Sequence, residues 1–90
     1  MRLERTLQWV DDYKALSSQD RNRVDAAIRK FVANPSLPGL RFRKLEGRQD
    51  PKGRDIWYFR ASDSLRITCV REDDSVFLRR VGQHDIERTP

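Results

Sequence analysis

Residues 56–81, IWYFRASDSLRITCVREDDSVFLRRV, contain three runs of strand-forming residues separated by two short polar connectors. The runs are Ile56–Ala61, Leu65–Arg71 and Val76–Val81. Each run is rich in β-branched or aromatic residues, which fit the pleated surface of a sheet. The connectors, Ser62-Asp63 and Glu72-Asp73-Asp74, have the length and polarity of hairpin turns. This stretch therefore predicts three consecutive antiparallel strands.

A fourth strand is expected upstream, over Leu40–Glu46, after the turn at residues 35–39. The segment Gly47–Arg54 between this strand and the next is polar and contains Pro51 and Gly53, so we expect a mobile loop there. Residues 2–5 are a further candidate for an edge strand.

Two helical segments precede the strands. Val24, Ala27, Ile28, Phe31 and Val32 recur at i, i+3, i+4, i+7 and i+8, which is one apolar face of a helix. Asn34-Pro35 ends this helix, because a residue before proline is disfavoured in the helical region.

The start of the second helix is marked by Ser17 and Asp20, which have the spacing of a capping box. Before it, Leu7, Val10 and Leu16, with Tyr13 beside them, predict a first helix from about Arg5 to Leu16. Helices followed by strands indicate a single α+β domain over residues 1–90. We expect an N-terminal helical hairpin packed on one face of a small, mainly antiparallel sheet of about four strands.

The charge balance favours a nucleic-acid partner. Lys and Arg total 19 against 14 Asp and Glu, a net charge of +5, and most of the excess is arginine. The arginine fork makes planar, bidentate contacts to phosphate, which lysine does not. Every predicted strand carries basic residues, and strand alternation places about half of them on the sheet face that the helices leave free. A solvated surface explains any single arginine, but a cationic sheet face indicates binding of RNA or DNA.

Cys69 is the only cysteine, and no Cys/His set with zinc spacing is present. We expect a buried, inert thiol in a reducing compartment. No apolar run reaches transmembrane length, and residues 1–5 lack the apolar region of a signal peptide. The expectation is a cytoplasmic protein without a metal, another cofactor or a membrane contact.

The order of motifs along the chain resembles that of the RelE/ParE superfamily of bacterial toxins. The motifs are Asn34-Pro35, Leu40-Arg41-Phe42-Arg43-Lys44-Leu45-Glu46-Gly47, the aromatic strand ending in Arg60, Leu65-Arg66-Ile67, the two-Asp turn and Arg80-Val81-Gly82-Gln83-His84-Asp85. The resemblance implies the toxin of a type II toxin–antitoxin system, neutralised by a cognate antitoxin. Many members of the superfamily cut mRNA in the ribosomal A site without metal, and a ParE-like branch inhibits DNA gyrase instead.

The resemblance also implies roles for individual residues. Lys44, Arg60 and His84 match the catalytic positions: Lys44 on the substrate phosphate, Arg60 on the charge at the scissile phosphate, and His84 at a late position occupied by Arg or His. Arg66 matches a recurrent arginine, either structural or phosphate-binding. The basic strands and their alternation, together with this match, predict an RNA-binding set of Arg41, Arg43, Tyr58, Arg66 and Arg80.

These residue types suit metal-free RNA cleavage, although the sequence departs from the family pattern at one place. Removal of the 2′-OH proton and protonation of the leaving 5′-oxygen suit histidine, which titrates near neutral pH. Positioned cations stabilise the charge that develops on the phosphate. However, Glu87 and Arg88 stand where many members have an aromatic residue, and His84 has an alternative structural role as a partner of Asp85. The alternative function is therefore a ParE-like gyrase inhibitor or a non-catalytic binding module.

Overall fold

The computed structural model describes residues 1–90. The chain begins with strand β1 (Arg2–Arg5), continues through helices α1 (Leu7–Lys14) and α2 (Ser18–Ala33), and ends with four strands. The four strands are β2 (Arg43–Gln49), β3 (Asp55–Arg60), β4 (Arg66–Glu72) and β5 (Ser75–Gly82). Two single 3₁₀ turns, Pro38–Leu40 and His84–Glu87, precede and follow this group.

The five strands form one mixed sheet in the order β1-β5-β4-β3-β2. The three predicted hairpin pairs are antiparallel, but β1 lies parallel to β5, with Leu3 opposite Val76. The expectation of about four strands after an N-terminal helical hairpin was therefore incomplete, since the helices follow β1. Residues 2–5 form the fifth strand, which is too short for a clear alternating pattern and is fixed by long-range pairing.

One face of the sheet packs against both helices. Val24, Ala27 and Phe31 of α2 are buried, and the Phe31 ring stacks on Phe59 of β3 with centroids 4.3 Å apart. The core cluster comprises Trp9, Val24, Ala27, Phe31, Leu40, Phe59, Leu65, Ile67, Cys69, Val76, Leu78 and Val81. Val32, which was placed on the apolar face, is exposed. Val32 is eight residues after Val24, so it lies about 80° around the helix axis from Val24, at the edge of the apolar face.

The helix boundaries follow side-chain capping. The Ser17 hydroxyl accepts a hydrogen bond from the Asp20 amide at 3.1 Å, and α2 ends at Ala33 with Asn34 as its C-cap, as predicted. Helix α1 is shorter than expected, because the Thr6 hydroxyl caps it by accepting from the amide of Trp9. Its buried residue is Trp9, whereas Leu7 is 85% exposed.

The Gly47–Arg54 segment is well structured, and the expectation of a mobile loop there was wrong. Strand β2 continues to Gln49, and Asp50 is only 6% exposed. Its carboxylate accepts hydrogen bonds from the amides of Lys52 and Arg54 and from the Arg54 Nε. Burial alone raises the pKa of Asp50, but the hydrogen bonds from Arg54 and Lys52 outweigh it and hold the pKa below its usual value.

The second sheet face is only partly free, contrary to expectation, because residues 84–90 cross it. Ile86 is buried against Gly82, where any β-carbon would lie 2.8 Å from the Ile86 side chain. The Pro90 carbonyl accepts hydrogen bonds from the Thr68 hydroxyl and the Arg79 Nε, each at 3.1 Å. The open part of this face is therefore the end nearest the β3–β4 connector.

Cys69 lies within β4 and is buried. Burial raises the pKa of its thiol to about 12, against a smaller lowering by Arg71, so the thiol stays neutral and unreactive. Neither helix has both the length and the apolar character required to cross a membrane.

A partly buried ion pair joins α1 to β5. The Arg80 Nε and Nη2 donate to the two carboxylate oxygens of Asp12, each at 3.0 Å, and the Val81 amide donates to the same carboxylate at 3.2 Å. Burial alone raises the pKa of Asp12, but the hydrogen bonds from Arg80, Gln8 and Val81 hold it below its usual value. The pair fixes how the first helix docks on the sheet.

We expect Asp12→Ala to lower the free energy of unfolding by about 2 kcal/mol, because it leaves the Arg80 guanidinium and the Val81 amide without their acceptor. The matched control is Asp11→Ala, an exposed carboxylate one position away on the same helix, with an expected change below about 0.5 kcal/mol. Urea denaturation at neutral pH measures both. Equal effects of the two substitutions would contradict a special role for the Asp12–Arg80 pair.

The same pair predicts an acid dependence. Because the pKa of folded Asp12 lies below the usual value of 3.8, its contribution is fully present above that value and is lost as pH falls through the lowered pKa. Asp12→Asn removes this titration, so its unfolding free energy should decline less steeply below about pH 4 than that of the wild type. Denaturation curves from pH 7 to pH 2, with Asp11→Asn as control, test this, and parallel curves would contradict it.

Candidate nucleic-acid interface

A small polar cleft of about 160 Å³ opens on the sheet face opposite the helices. It is lined by seven residues, which come from β2, β3, β4, the C-terminal 3₁₀ turn and the position just after Leu40: Arg41, Arg43, Tyr58, Arg60, Arg66, His84 and Glu87. Six of them belong to the eight site residues predicted from the sequence. The structure thus brings together positions spread over almost half of the chain.

Strand register places these side chains together. Arg43 of β2 lies opposite Tyr58 of β3, and Arg60 of β3 lies opposite Arg66 of β4. Tyr58 and Arg60 alternate with Trp57 and Phe59, which pack with the core on the other side. Like charges directly opposite each other across a ladder are destabilising. An Arg–Arg pair at this position therefore favours an anion between the two guanidiniums or strong hydrogen-bond acceptors around them.

Arg66 has such acceptors. Arg66 is 6% exposed. Its Nη1 donates hydrogen bonds to the carbonyl oxygens of Ser62 and Asp63, each at 3.1 Å, and of Leu65, at 3.3 Å. Its Nη2 lies 3.1 Å from the Nε2 of His84. Arg66 thus fixes the β3–β4 connector and forms the floor of the cleft. Sequence reasoning left its role open between structure and phosphate binding, and these contacts are structural.

The contacts of His84 define its tautomer. A guanidinium can only donate, so the His84 Nε2 beside Arg66 must be an acceptor. The proton of the neutral ring then sits on Nδ1, which lies 3.1 Å from the Glu87 carboxylate and donates to it. The histidine partner is therefore Glu87, one helical turn away, and not the adjacent Asp85 that sequence reasoning considered. The i, i+3 spacing of His84 and Glu87 is the signal that could have identified the pair.

The Arg60 guanidinium is half-buried in the cleft and has a single weak ionic partner. Its Nη1 lies 3.6 Å from the fully exposed Asp63 carboxylate, which is too long for a hydrogen bond. An exposed ion pair of this kind contributes little and is screened by salt. Arg60 can therefore exchange Asp63 for a stronger anionic ligand at small cost.

Arg41 occupies an unusual backbone conformation at the rim of the cleft. Its φ of 49° and ψ of 48° lie in the left-handed region, where a residue with a β-carbon is strained. Strained residues of this kind cluster at functional sites. The conformation follows the Pro38–Leu40 turn and directs the chain into β2.

Two predicted site residues lie elsewhere. Lys44 pairs with Trp57 across the β2–β3 ladder, and Trp57 packs against the core, so Lys44 belongs to the helix side of the sheet and not to the cleft. A bulge between Lys44 and Gln49 ends regular alternation beyond it. Arg80 is occupied by Asp12. No group of three or more His, Cys, Asp or Glu side chains is arranged to hold a metal ion.

Comparison with solved structures gives close overall matches. Chains of the RelB–RelE complex from Methanococcus jannaschii and of the RelE–RelB complex from Pyrococcus horikoshii OT3 superpose with TM-scores of 0.70 and 0.69 at 20% and 19% identity. The first match covers 96% of this chain and 95% of the other, and the second covers 91% and 92%. The DinJ–YafQ complex from E. coli contains a chain that matches with a TM-score of 0.68 at 17% identity, covering 94% and 96%.

The chain has the RelE/ParE toxin fold. Identities of 17–20% establish the fold alone. No protein-family model matches the sequence, and no curated protein matches it either. The activity of the RelE/ParE-fold chain therefore has to be argued from its own cleft.

We expect Arg41→Gly to raise the free energy of unfolding by about 0.5–1 kcal/mol, because glycine adopts the left-handed conformation without strain. If the cleft binds RNA, the same substitution should weaken binding of a short single-stranded RNA severalfold, since one cation of the cleft is removed. Arg43→Gly is the matched control: it also removes a cleft arginine but places glycine inside a strand, so stability should fall by about 0.5–1 kcal/mol. Thermal unfolding and fluorescence anisotropy measure the two effects. A less stable Arg41→Gly protein would contradict the strain.

Proposed function

We propose that this RelE/ParE-fold protein is the toxin of a type II toxin–antitoxin system that cuts mRNA on the ribosome. The observation that carries the proposal is the cleft in which Arg41, Arg43 and Arg60 surround Tyr58 and His84. A ribosomal target would place its action in the cytoplasm.

The cleft suits a segment of single-stranded RNA. Arg41, Arg43 and Arg60 present guanidinium forks to successive phosphates, and such forks bind phosphate bidentately. Tyr58 lies on the same sheet face and offers a ring on which a base can stack. Glu87 is the one acidic residue of the lining, so the cleft as a whole attracts an anion.

The arrangement of His84 suits a general base. Glu87 holds the proton on Nδ1, so the Nε2 lone pair is the one that can accept the proton of a ribose 2′-OH. To do so, Nε2 exchanges its hydrogen bond from Arg66 for the substrate hydroxyl. The 2′-oxygen then attacks phosphorus, the bond to the 5′-oxygen breaks, and the 5′-oxygen takes a proton from water. Glu87 stabilises the imidazolium, and Arg60 stabilises the charge on the phosphorane.

The second candidate is a toxin-fold binding module without cleavage chemistry, such as a ParE-like gyrase inhibitor. It is favoured by the same contacts of His84, since both ring nitrogens are already occupied, by Arg66 and Glu87. The missing aromatic residue after His84 favours it as well. In this reading, His84 completes the hydrogen bonding of a buried arginine.

An antitoxin is the protein partner that we propose for either function. The matched chains from M. jannaschii and P. horikoshii are in complexes of RelE with RelB, and the E. coli chain is in a complex of YafQ with DinJ. The net charge of +5 favours an acidic partner.

Inducible expression in a bacterial host tests the proposal. We expect growth arrest by the wild type, with cut mRNA detected by primer extension. His84→Ala should slow cleavage by roughly 10²–10⁴-fold and Arg60→Ala by roughly 10²–10³-fold, because they remove the base and the phosphorane contact. Glu87→Gln should retain a hydrogen-bond acceptor for Nδ1 but not the charge that stabilises the imidazolium, and so give an intermediate rate. Arg29→Ala removes an exposed arginine of α2 and is the control that should cut normally.

The outcomes separate the candidates. Arrest by the wild type and by His84→Ala alike, with intact mRNA, would replace cleavage by a bound target such as gyrase. An absence of both arrest and cleavage in the wild type would overturn the toxin proposal.

A further inference from the structure

A second pocket, of about 310 Å³, lies between the two helices, on the side of the sheet away from the cleft. It is lined by seven residues from the end of β1, from α1 and from α2: Arg5, Trp9, Val10, Tyr13, Lys14, Arg21 and Asp25. Its volume lies at the lower end of the range found for small-molecule sites. It shares no residue with the cleft, so it is a separate cavity that the proposed function leaves unused.

Three cations line this helix-side pocket, and none of them forms an ion pair. They are Arg5, Lys14 and Arg21, and the salt bridges of the chain all involve other residues. The one acidic residue of the lining, Asp25, already accepts a hydrogen bond from the Tyr13 hydroxyl at 2.7 Å. The charge of the lining therefore favours an anion that the three cations bind together.

An aromatic wall stands beside these cations. The Trp9 and Tyr13 rings are stacked, with centroids 5.0 Å apart and planes inclined by 16°. The Arg5 guanidinium lies over the Trp9 ring, 5.4 Å from its centroid. Trp9 is buried, whereas Tyr13 keeps part of its surface exposed. A flat ring that enters the pocket can extend this stack on Tyr13.

Trp9 also carries a donor that the chain itself leaves unpaired. The indole Nε1 is buried and has no hydrogen-bond partner. Buried donors in folded proteins nearly always have an acceptor, because burial without one costs free energy. No other buried side-chain nitrogen or oxygen of this chain is unpaired. The single orphaned donor thus belongs to a residue of this pocket.

These features together specify the chemistry of a ligand. Unpaired cations require an anion, a stacked aromatic wall favours a flat ring, and an orphaned N–H favours a ligand with a further acceptor. An inorganic anion has no ring to stack, and an uncharged aromatic compound leaves the cations unpaired. A nucleoside monophosphate has a phosphate, a flat base and several acceptor atoms, so it meets all three requirements.

We propose that the helix-side pocket binds a nucleoside monophosphate, with its base on Tyr13 and its phosphate between Lys14 and Arg21. Arg5 is exposed and is held over Trp9 only by the ring, so it can turn towards the phosphate as the ligand enters. That movement opens the way for an acceptor of the ligand to reach the Trp9 Nε1. The proposal is independent of the toxin function, because it uses none of the residues of the cleft.

The test follows the two indole N–H resonances of the full chain by ¹⁵N–¹H NMR while adenosine 5′-monophosphate is added. The chain has two tryptophans, Trp9 and Trp57, and Trp57→Phe assigns their signals. We expect the Trp9 signal to shift and to saturate, and the signal of Trp57, which lies outside the pocket, to stay in place. Adenosine and inorganic phosphate each lack one half of the ligand and should bind at least about tenfold more weakly.

Two matched pairs of variants locate the phosphate. Arg21→Gln removes a cation of the lining, whereas Arg23→Gln removes an exposed arginine of the same helix outside the pocket. Lys14→Gln and Lys30→Gln form the corresponding lysine pair. We expect Arg21→Gln and Lys14→Gln to weaken the nucleotide about tenfold, and each control to weaken it about twofold or less.

The contribution of the aromatic ring is tested separately. Tyr13→Phe and Tyr13→Leu both remove the hydrogen bond to Asp25, but only Tyr13→Phe keeps the ring. We expect Tyr13→Phe to retain the affinity within about twofold and Tyr13→Leu to lose about fivefold or more, because stacking of the base is lost. The dispersed amide signals of the same NMR spectra show that each variant is folded.

The remaining outcomes would overturn the proposal. Failure of every common ribonucleoside monophosphate to shift the Trp9 signal would remove the ligand class. Inorganic phosphate that binds as tightly as the nucleotide, or equal losses in Arg21→Gln and Arg23→Gln, would reduce the pocket to a patch of positive charge. A short single-stranded RNA that shifts Trp9 at lower concentration than the nucleotide, and less so in Arg21→Gln, would assign the pocket to RNA instead of a free nucleotide.

Discussion

Arg66 carries a full positive charge at 6% exposure, and a charge in such a place is stable only when its N–H groups are hydrogen bonded. Three main-chain carbonyls of the β3–β4 connector and the His84 ring provide those bonds. One guanidinium therefore ties the connector to the start of β4 and to the C-terminal 3₁₀ turn. Because Arg66 lies opposite Arg60 in the ladder, the residue that organises this end of the sheet also lies beside Arg60 in the cleft.

Much of this architecture is visible in the sequence because it depends on local patterns. Alternation in β3 separated Tyr58 and Arg60 from the core residues Trp57 and Phe59, and the Ser17 and Asn34 boundaries followed from capping and proline chemistry. Six of the eight predicted site residues line one cleft, because short connectors fix the register between neighbouring strands. What the sequence left unresolved depends on long-range contacts. The pairing of β1 with β5 and the Asp12–Arg80 ion pair both join residues that no local window contains.

Lys44 shows the limit of transfer by motif. Its position within Leu40–Gly47 matched the expected order, but its pairing with Trp57 sends it to the other side of the sheet. Neighbouring residues of a strand point to opposite faces, so Arg43, opposite Tyr58, and Lys44, opposite Trp57, do not both line the cleft. Motif order therefore located the strand correctly, whereas the face on which each basic residue lies depended on the ladder.

Glu87 stands where the resemblance leads one to expect an aromatic residue, and the structure shows what the carboxylate contacts instead. An aromatic residue there would offer a stacking surface. The carboxylate instead fixes the His84 tautomer and compensates one of the cleft's positive charges. For the RNA proposed as substrate, the Glu87 carboxylate would repel a phosphate, but Arg41, Arg43 and Arg60 outnumber it. In the proposed function, base stacking would depend on Tyr58, the only Phe, Tyr or Trp of the lining. The arginine charges and the orientation of His84 would then replace a second aromatic surface.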